Sequence, residues 1–203
     1  MHWLKSIRYR WMQPVTIVSG LPRSGTSMTV KMLEAGGLPV YTDRARRPDI
    51  DNPGGYYEFE RVKRLAEESD KRWVAECRGK VLKVISFLLP DLPSELAYRV
   101  VFMSRDLDEV VASQNKMLQR RGELLQEDGV VRRMFEDHLL RIRRWIAQQP
   151  NFRLLEVPYA DVVRSPQTQA HRIRDFLGDP RLDVLKMAEV VNPELYRNRS
   201  GGI

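Results

Sequence analysis

The sequence predicts an α/β fold of three layers, α/β/α, around a mostly parallel central sheet. Three observations lead there. Short β-branched and apolar runs alternate with helical patterns along the chain, as βαβ units require. The runs read as buried strands, four to seven residues long and closed by turn residues. The first of them passes through a glycine-bracketed turn directly into a helix.

Val15-Thr16-Ile17-Val18 is the first strand and ends in Ser19-Gly20. Ser24 to Ala35 follows as a helix, closed by Gly36-Gly37. Tyr41 to Gly55 is rich in Asp, Arg, Pro and Gly and predicts a loop. Phe59 to Glu76 has a helical pattern with Val62, Leu65, Ala66 and Trp73 inward. Val81 to Phe87 and Tyr98 to Met103 are the next two strands. Asp106 is an N-cap and Glu109 completes a capping-box pattern, so a helix starts at Leu107 and runs to about Leu118. Val130 to Gln149 is the longest helical pattern, with Val131, Met134, Phe135, Leu139, Ile142, Trp145 and Ile146 on one stripe. Phe152 to Val157 is the last strand. Pro166 opens a helix that Gly178 terminates after Leu177. Ligands of such sheets sit beyond the carboxyl ends of the strands. Three places qualify: the turns after Val18 and Met103, and the segment after Val157.

Of the 203 residues, 42% are apolar and 30% charged, which is a soluble, globular composition of single-domain size. We expect one domain over residues 1–203, with its core over 15–180. The single Cys77 excludes an internal disulfide framework and fits a reducing compartment, so a cytoplasmic location is expected. Met1 to Gln13 carries Lys5, Arg8 and Arg10 with no apolar h-region, and the apolar stretch Val84–Leu89 is too short for a membrane span. His2, His138 and His171 are scattered, against a histidine-rich metal site; His138 and His171 read as ordinary, partly exposed helix residues. The net charge of +7 favours an anionic partner. Basic and aromatic residues do not interleave on one surface, so nucleic acid is not the expected partner.

The turn Ser19-Gly20-Leu21-Pro22-Arg23-Ser24-Gly25-Thr26-Ser27 has the features of a phosphate cradle. Gly20 and Gly25 bracket four residues, and glycine lets successive N–H groups curl around an anion. The helix N-terminus adds roughly half a positive charge. Ser24, Thr26 and Ser27 offer hydroxyls, and Arg23 a fixed cation. An ATP-type loop has lysine where Thr26 stands, so this loop departs from nucleoside-triphosphate chemistry within an otherwise P-loop NTPase-like architecture.

Leu21-Pro22-Arg23-Ser24-Gly25-Thr26-Ser27 resembles the 5′-phosphosulfate loop of sulfotransferases that use 3′-phosphoadenosine 5′-phosphosulfate (PAPS). The resemblance recurs at Tyr98-Arg99-Val100-Val101-Phe102-Met103-Ser104-Arg105-Asp106 with Ser113 eight residues after Arg105. It recurs again at Val157-Pro158-Tyr159-Ala160-Asp161-Val162-Val163, then Pro166, then Asp175-Phe176-Leu177-Gly178. The three motifs fall in the family's order across residues 15–180. The resemblance implies PAPS as sulfuryl donor, no metal, and a hydroxyl or amine of a small molecule or glycan as acceptor. It implies that Gly20, Pro22, Arg23, Ser24, Gly25, Thr26 and Ser27 bind the 5′ side and that Arg105 and Ser113 bind the 3′-phosphate. Arg23 would stabilise charge appearing on the 5′-phosphate oxygen. The family's proline two residues after the arginine is Leu107 here.

For the base, cytosolic members use a histidine two residues after a strand lysine. Lys83 stands at that lysine, but Ile85 replaces the histidine. Bacterial and Golgi-type members use a glutamate instead, and Asn52-Pro53-Gly54-Gly55-Tyr56-Tyr57-Glu58 resembles their segment. Glu58 is therefore the implied base, with Glu60 as the alternative, and Lys83 is implied near the sulfuryl group. On its own pattern Lys83 reads equally as an edge-strand lysine that snorkels. Tyr159 and Asp161 organise a turn, and no role is assigned to Arg197 and Arg199. Two other readings stay open: a P-loop nucleotide or metabolite kinase, and a nucleotide-binding module without catalysis.

Overall fold

The structure is a computed structural model and describes residues 13–45, 49 and 55–195. Strands β1 (Val15–Gly20), β2 (Val81–Lys83), β3 (Tyr98–Ser104) and β4 (Phe152–Pro158) form one sheet in the order β2-β1-β3-β4. Every pairing in it is parallel. The helices are α1 (Thr26–Ala35), α2 (Leu107–Arg120), α3 (Asp128–Gln148), α4 (Tyr159–Arg164), α5 (Pro166–Leu177) and α6 (Val184–Glu189).

Successive strand residues point to opposite faces of a sheet, and the core divides along that parity. On one face Val18, Val81, Val101, Met103 and Val157 pack with Val30 and Leu33 of α1, Ile173 of α5 and Met187 of α6. On the other, Ile17, Leu82, Val100 and Phe102 pack with Trp73, Leu89, and Ile142 and Ile146 of α3. All six residues of β1 are buried, which is why that strand shows no alternation of apolar and charged residues. A smaller cluster ties Leu21 of the glycine-bracketed turn to Val110 and Val111 of α2 and to Val131 and Phe135 of α3.

Register decides where the candidate residues emerge. Gly20 pairs with Met103, Val18 with Lys83, and Ser104 with Pro158. The glycine-bracketed turn, Lys83, Arg105 and Tyr159 therefore all leave the sheet at its carboxyl edge.

Five expectations are corrected. The helix expected over Phe59 to Glu76 is two short 3₁₀ segments, Glu60–Arg64 and Arg72–Cys77. Side chains impose the break. The Glu68 carboxylate accepts from Arg61 Nε and from Trp73 Nε1, the latter at 2.8 Å, and Asp70 accepts from the Arg72 N–H at 3.1 Å. Ala66, expected inward, is exposed, while Val62, Leu65 and Trp73 are buried. The strand expected to Phe87 stops at Lys83, and a 3₁₀ segment containing Pro90 runs from Ser86 to Asp91 and delivers Leu89 to the core. On α3, Met134 faces out, whereas His138 is buried rather than partly exposed. The remaining elements lie within two residues of expectation, α1 starting at Thr26 and α2 ending at Arg120.

Candidate active site

The turn after β1 is held in a left-handed path. Gly20, Arg23 and Gly25 have φ of 147°, 68° and 97°. A Cβ at Gly20 would lie 2.5 Å from Ser24 Oγ and 2.6 Å from the Met103 carbonyl, and one at Gly25 would strike the Tyr159 ring. Both glycines are thus required by conformation and by space. Ser24 is buried, and its hydroxyl donates to the Leu21 carbonyl at 2.7 Å, so it braces the loop from inside. Thr26, also buried, opens the ten-residue α1, whose N-terminus faces the cradle. Pro22 sits half-buried between them.

A left-handed arginine costs on the order of 1–2 kcal/mol, and Arg105 provides the compensation. Its Nη1 donates to the Arg23 carbonyl at 3.1 Å. Arg105 Nε donates to the Glu109 carboxylate at 2.9 Å, with both side chains less than a tenth exposed. The Arg105 guanidinium also lies 4.3 Å from the Tyr159 ring centroid. Burial, set against the pull of Arg105, raises the pKa of the Tyr159 hydroxyl. Arg23 Nε donates to Ser113 Oγ at 3.0 Å, and Ser113 is buried two helical turns into α2. The turn after β1 and the helix after β3 thus meet in one cluster of Arg23, Arg105, Ser113, Glu109 and Tyr159.

A second cluster lies on the β2 side. Lys83 is on an edge strand, as the snorkelling reading requires, yet it is buried. Residues 39–41 explain this. They run along β2, with the Val81 N–H donating to the Pro39 carbonyl and the Tyr41 N–H to the Val81 carbonyl, each at 2.8 Å. Lys83 shares a strand face with Val81, towards α1, and its Nζ donates to Ser27 Oγ at 3.0 Å and to the Tyr56 carbonyl at 2.8 Å. The Glu58 carboxylate accepts from the same Nζ at 3.4 Å. Tyr57, between them, has φ of 53°, which turns the chain so that residues 56 and 58 both meet Lys83. Burial, and next the nearby Glu34 carboxylate, push the Tyr57 hydroxyl up to about 12. Thr42 Oγ1 donates to the Glu58 carbonyl at 2.7 Å, and the Asp43 carboxylate accepts from the Glu60 N–H at 2.7 Å. Glu60 itself is exposed and pairs with Lys63.

Among the sequence-derived candidates, Arg23, Arg105 and Ser113 converge on one side and Ser27, Lys83 and Glu58 on the other, joined by the loop. Asn52, Pro53 and Gly54 of the expected segment, and Arg197 and Arg199, lie outside the described residues. Sequence reasoning missed Glu109 as the partner of Arg105, although the i, i+4 spacing was visible. It also missed Thr42, for which the sequence carried no signal. No group of three His, Cys, Asp or Glu side chains able to hold a metal occurs among the described residues.

Fold and site together define an α/β protein with a glycine-bracketed turn and two basic clusters at the carboxyl edge of a parallel sheet. The family is narrower: the chain belongs to the sulfotransferase family, whose model matches residues 82–183. That match takes in Lys83, Arg105, Glu109 and Ser113; the glycine-bracketed turn and Glu58 precede it. The chain is also similar to a solved sulfotransferase domain from the curacin biosynthetic pathway. Identity is 16% over 94% of this chain and 79% of that one, with a TM-score of 0.49. No curated protein matches it.

Proposed function

We propose that this chain, read as a single sulfotransferase domain, moves a sulfuryl group from PAPS to a hydroxyl or amine of a small-molecule or glycan acceptor. The observation that carries the reading is the meeting of the two turns, with Arg105 Nη1 on the Arg23 carbonyl at 3.1 Å and Arg23 Nε on Ser113 Oγ at 3.0 Å. A donor phosphorylated at both ends needs two anion sites within one cleft, and the residues present fit that need. The left-handed backbone at Gly20 and Gly25 leaves no room for a side chain and turns amides into the cradle. Two arginines and a serine stand beside it.

The donor supplies the sulfuryl group. The loop amides and the α1 N-terminus hold its 5′-phosphate, and Arg105 and Ser113 hold its 3′-phosphate. Lys83, oriented by Ser27 and the Tyr56 carbonyl, places a positive charge on the side where transfer occurs. Glu58 accepts the proton that the acceptor's hydroxyl gives up as its oxygen bonds to sulfur, while the bond from sulfur to the 5′-phosphate oxygen breaks with its electron pair and leaves 3′-phosphoadenosine 5′-phosphate. Its place beside Lys83 favours it over the solvent-facing Glu60.

The test is a thermal shift with 3′-phosphoadenosine 5′-phosphate against ADP and ATP–magnesium. A bound ligand at 100-fold its dissociation constant stabilises by roughly 2.7 kcal/mol. The bisphosphate is expected to give the largest shift. Preference for ATP–magnesium would replace this reading with the kinase one.

A further inference from the structure

We propose that Arg99 and Arg153 form a second anion site at the amino end of the sheet, one that takes a sulfate or phosphate group apart from the donor cleft. The two residues face each other across adjacent parallel strands, Arg99 on β3 and Arg153 on β4. By strand parity both stand on the face of Val101, Met103, Leu155 and Val157, the side packed by α5. Like charges placed directly opposite each other destabilise a sheet, and nothing in the chain offsets these two. No carboxylate pairs with either among the described residues. Residues 1–12 and 196–203 contain no Asp or Glu. The carboxylates that flank the end of α5, Asp175 and Asp179, are held by Arg174 at 3.0 Å and Arg181 at 2.8 Å.

The fold also fixes the head of this pair. The Arg99 guanidinium lies beside the last turn of α5, where a Cβ at Gly178 would stand 3.3 Å from its Nη1. Gly178 has φ of 59° and ends that helix. One glycine thus terminates α5 and leaves room for the arginine. Arg99 is half-buried and Arg153 exposed, so the pair is open on one side. Burial, and next the charge of Arg153, lower the Arg99 pKa from its ordinary value. A guanidinium stays charged at neutral pH all the same, so only a counter-charge from outside the chain relieves the repulsion. A tetrahedral dianion fits, because each planar fork can meet two of its oxygens. Arg99 lies five residues before Ser104, roughly 17 Å along the strand from the carboxyl edge. That is too far to share one group with Arg105.

Sodium sulfate is titrated into the full chain at fixed ionic strength, and the arginine Nε–Hε resonances are followed by NMR, assigned with Arg99→Gln and Arg153→Gln. Those of Arg99 and Arg153 are expected to move together and to saturate, with a dissociation constant of about 1–10 mM. In Arg153→Gln the Arg99 resonance should need about tenfold more sulfate, the effect of losing a charge-assisted hydrogen bond. In Arg105→Gln it should respond as in the wild type, which keeps this test separate from the donor reading. Inorganic phosphate and glycerol 3-phosphate, run in parallel, distinguish a free ion from an ester-borne group by which binds more tightly, and either supports the site. Arg153→Glu is the complementary variant. Its carboxylate faces Arg99, so the ligand-free melting temperature should rise by about 1–3 °C and the Arg99 response to sulfate should vanish. Resonances that drift without saturating, or an Arg153→Glu variant that melts no higher than the wild type, overturn the proposal.

Discussion

The Arg105 cluster and the Lys83–Glu58 pair sit on opposite sides of one glycine-bracketed loop, and their supports differ. The first draws on the turn after β1, the opening turns of α2 and the first residue of α4, each anchored on a central strand or on β4. Its parts interlock: Arg105 holds Arg23, Arg23 meets Ser113, and Tyr159 backs both Gly25 and Arg105. The second joins the end of an edge strand to a segment 25 residues earlier in the chain. That segment is secured by Thr42 and Asp43 and by the left-handed turn at Tyr57. In physical terms, the Arg105 cluster, the proposed anchor, is preorganised by packing, whereas Glu58, the proposed base, is positioned by a few hydrogen bonds from a surface segment. A donor common to many reactions suits the first construction. An acceptor that differs between enzymes suits the second.

The largest expected effect separates the two halves outright. Glu58→Gln keeps the shape beside Lys83 but removes the carboxylate proposed as proton acceptor. Turnover should fall by about 10²- to 10⁴-fold, while affinity for 3′-phosphoadenosine 5′-phosphate stays within about twofold. Single-turnover sulfuryl transfer and calorimetry on the same preparation measure both. Full transfer activity in this variant would show that the carboxylate lies outside the chemistry.

Next in size is a change aimed at the interlocked half. Gly25→Ala forces a side chain into φ of 97° and against the Tyr159 ring. The backbone cost alone is about 1–2 kcal/mol, and displacing Tyr159 moves the surface on which Arg105 rests. We expect a lower melting temperature together with weaker bisphosphate binding. A variant that melts and binds like the wild type would mean that Tyr159 moves aside freely, and the anchor would then be no more rigid than its counterpart.

How much of this was legible in the sequence follows the same divide. The N-cap at Asp106 was readable because its partners, the Asp108 and Glu109 amides, are two and three residues away. The start of α5 at Pro166 and its left-handed stop at Gly178 are local as well. The left-handed turn after β1 was readable because glycine spacing encodes backbone shape directly. The 3₁₀ segments between Glu60 and Cys77 were misread as one helix, because the break is made by Glu68 bridging Arg61 and Trp73, and residue spacing gave no hint of it. The burial of His138 depends on Ser86, which is 52 residues away. Lys83 reads as a surface lysine on its strand pattern, and only residues 39–41 covering the edge make it a buried one. The residues of the Arg105 cluster were therefore visible in advance as candidates, and what supports Glu58 was not.

Thr42 probes that support at smaller amplitude. Thr42→Val removes the hydroxyl that donates to the Glu58 carbonyl at 2.7 Å, and with it the acceptor of the exposed Arg44 N–H at 3.1 Å, while preserving shape. Losing one such bond is worth about 1 kcal/mol. The rate of transfer should fall roughly fivefold, bisphosphate affinity should not change, and Thr42→Ser should restore the rate. If Thr42→Val transfers at the wild-type rate, the hydrogen bond to Glu58 is not what holds the carboxylate in place.

The smallest expected effect is a pH dependence seated just beyond the reacting side. His138 is buried on α3, with its Nε2 2.9 Å from Ser86 Oγ and its ring stacked on Phe87 at 3.7 Å. Burial, and next the positive charge of Arg141, lower its pKa below the ordinary value. The unfolded chain, with a histidine pKa near 6.5, therefore binds a proton before the folded protein does. This contribution to stability is complete above about pH 6.5 and is lost as pH falls through the lowered folded value. Denaturant melts between pH 5 and 8 should show a loss on the acid side that is absent in His138→Gln, whose amide cannot titrate. Because Ser86 lies three residues after Lys83, the same acidification should reduce transfer before it reduces bisphosphate binding. The anchor takes none of its polar residues from α3 and should respond less. Equal acid sensitivity of binding and transfer would instead mean that the two halves of the site respond as one.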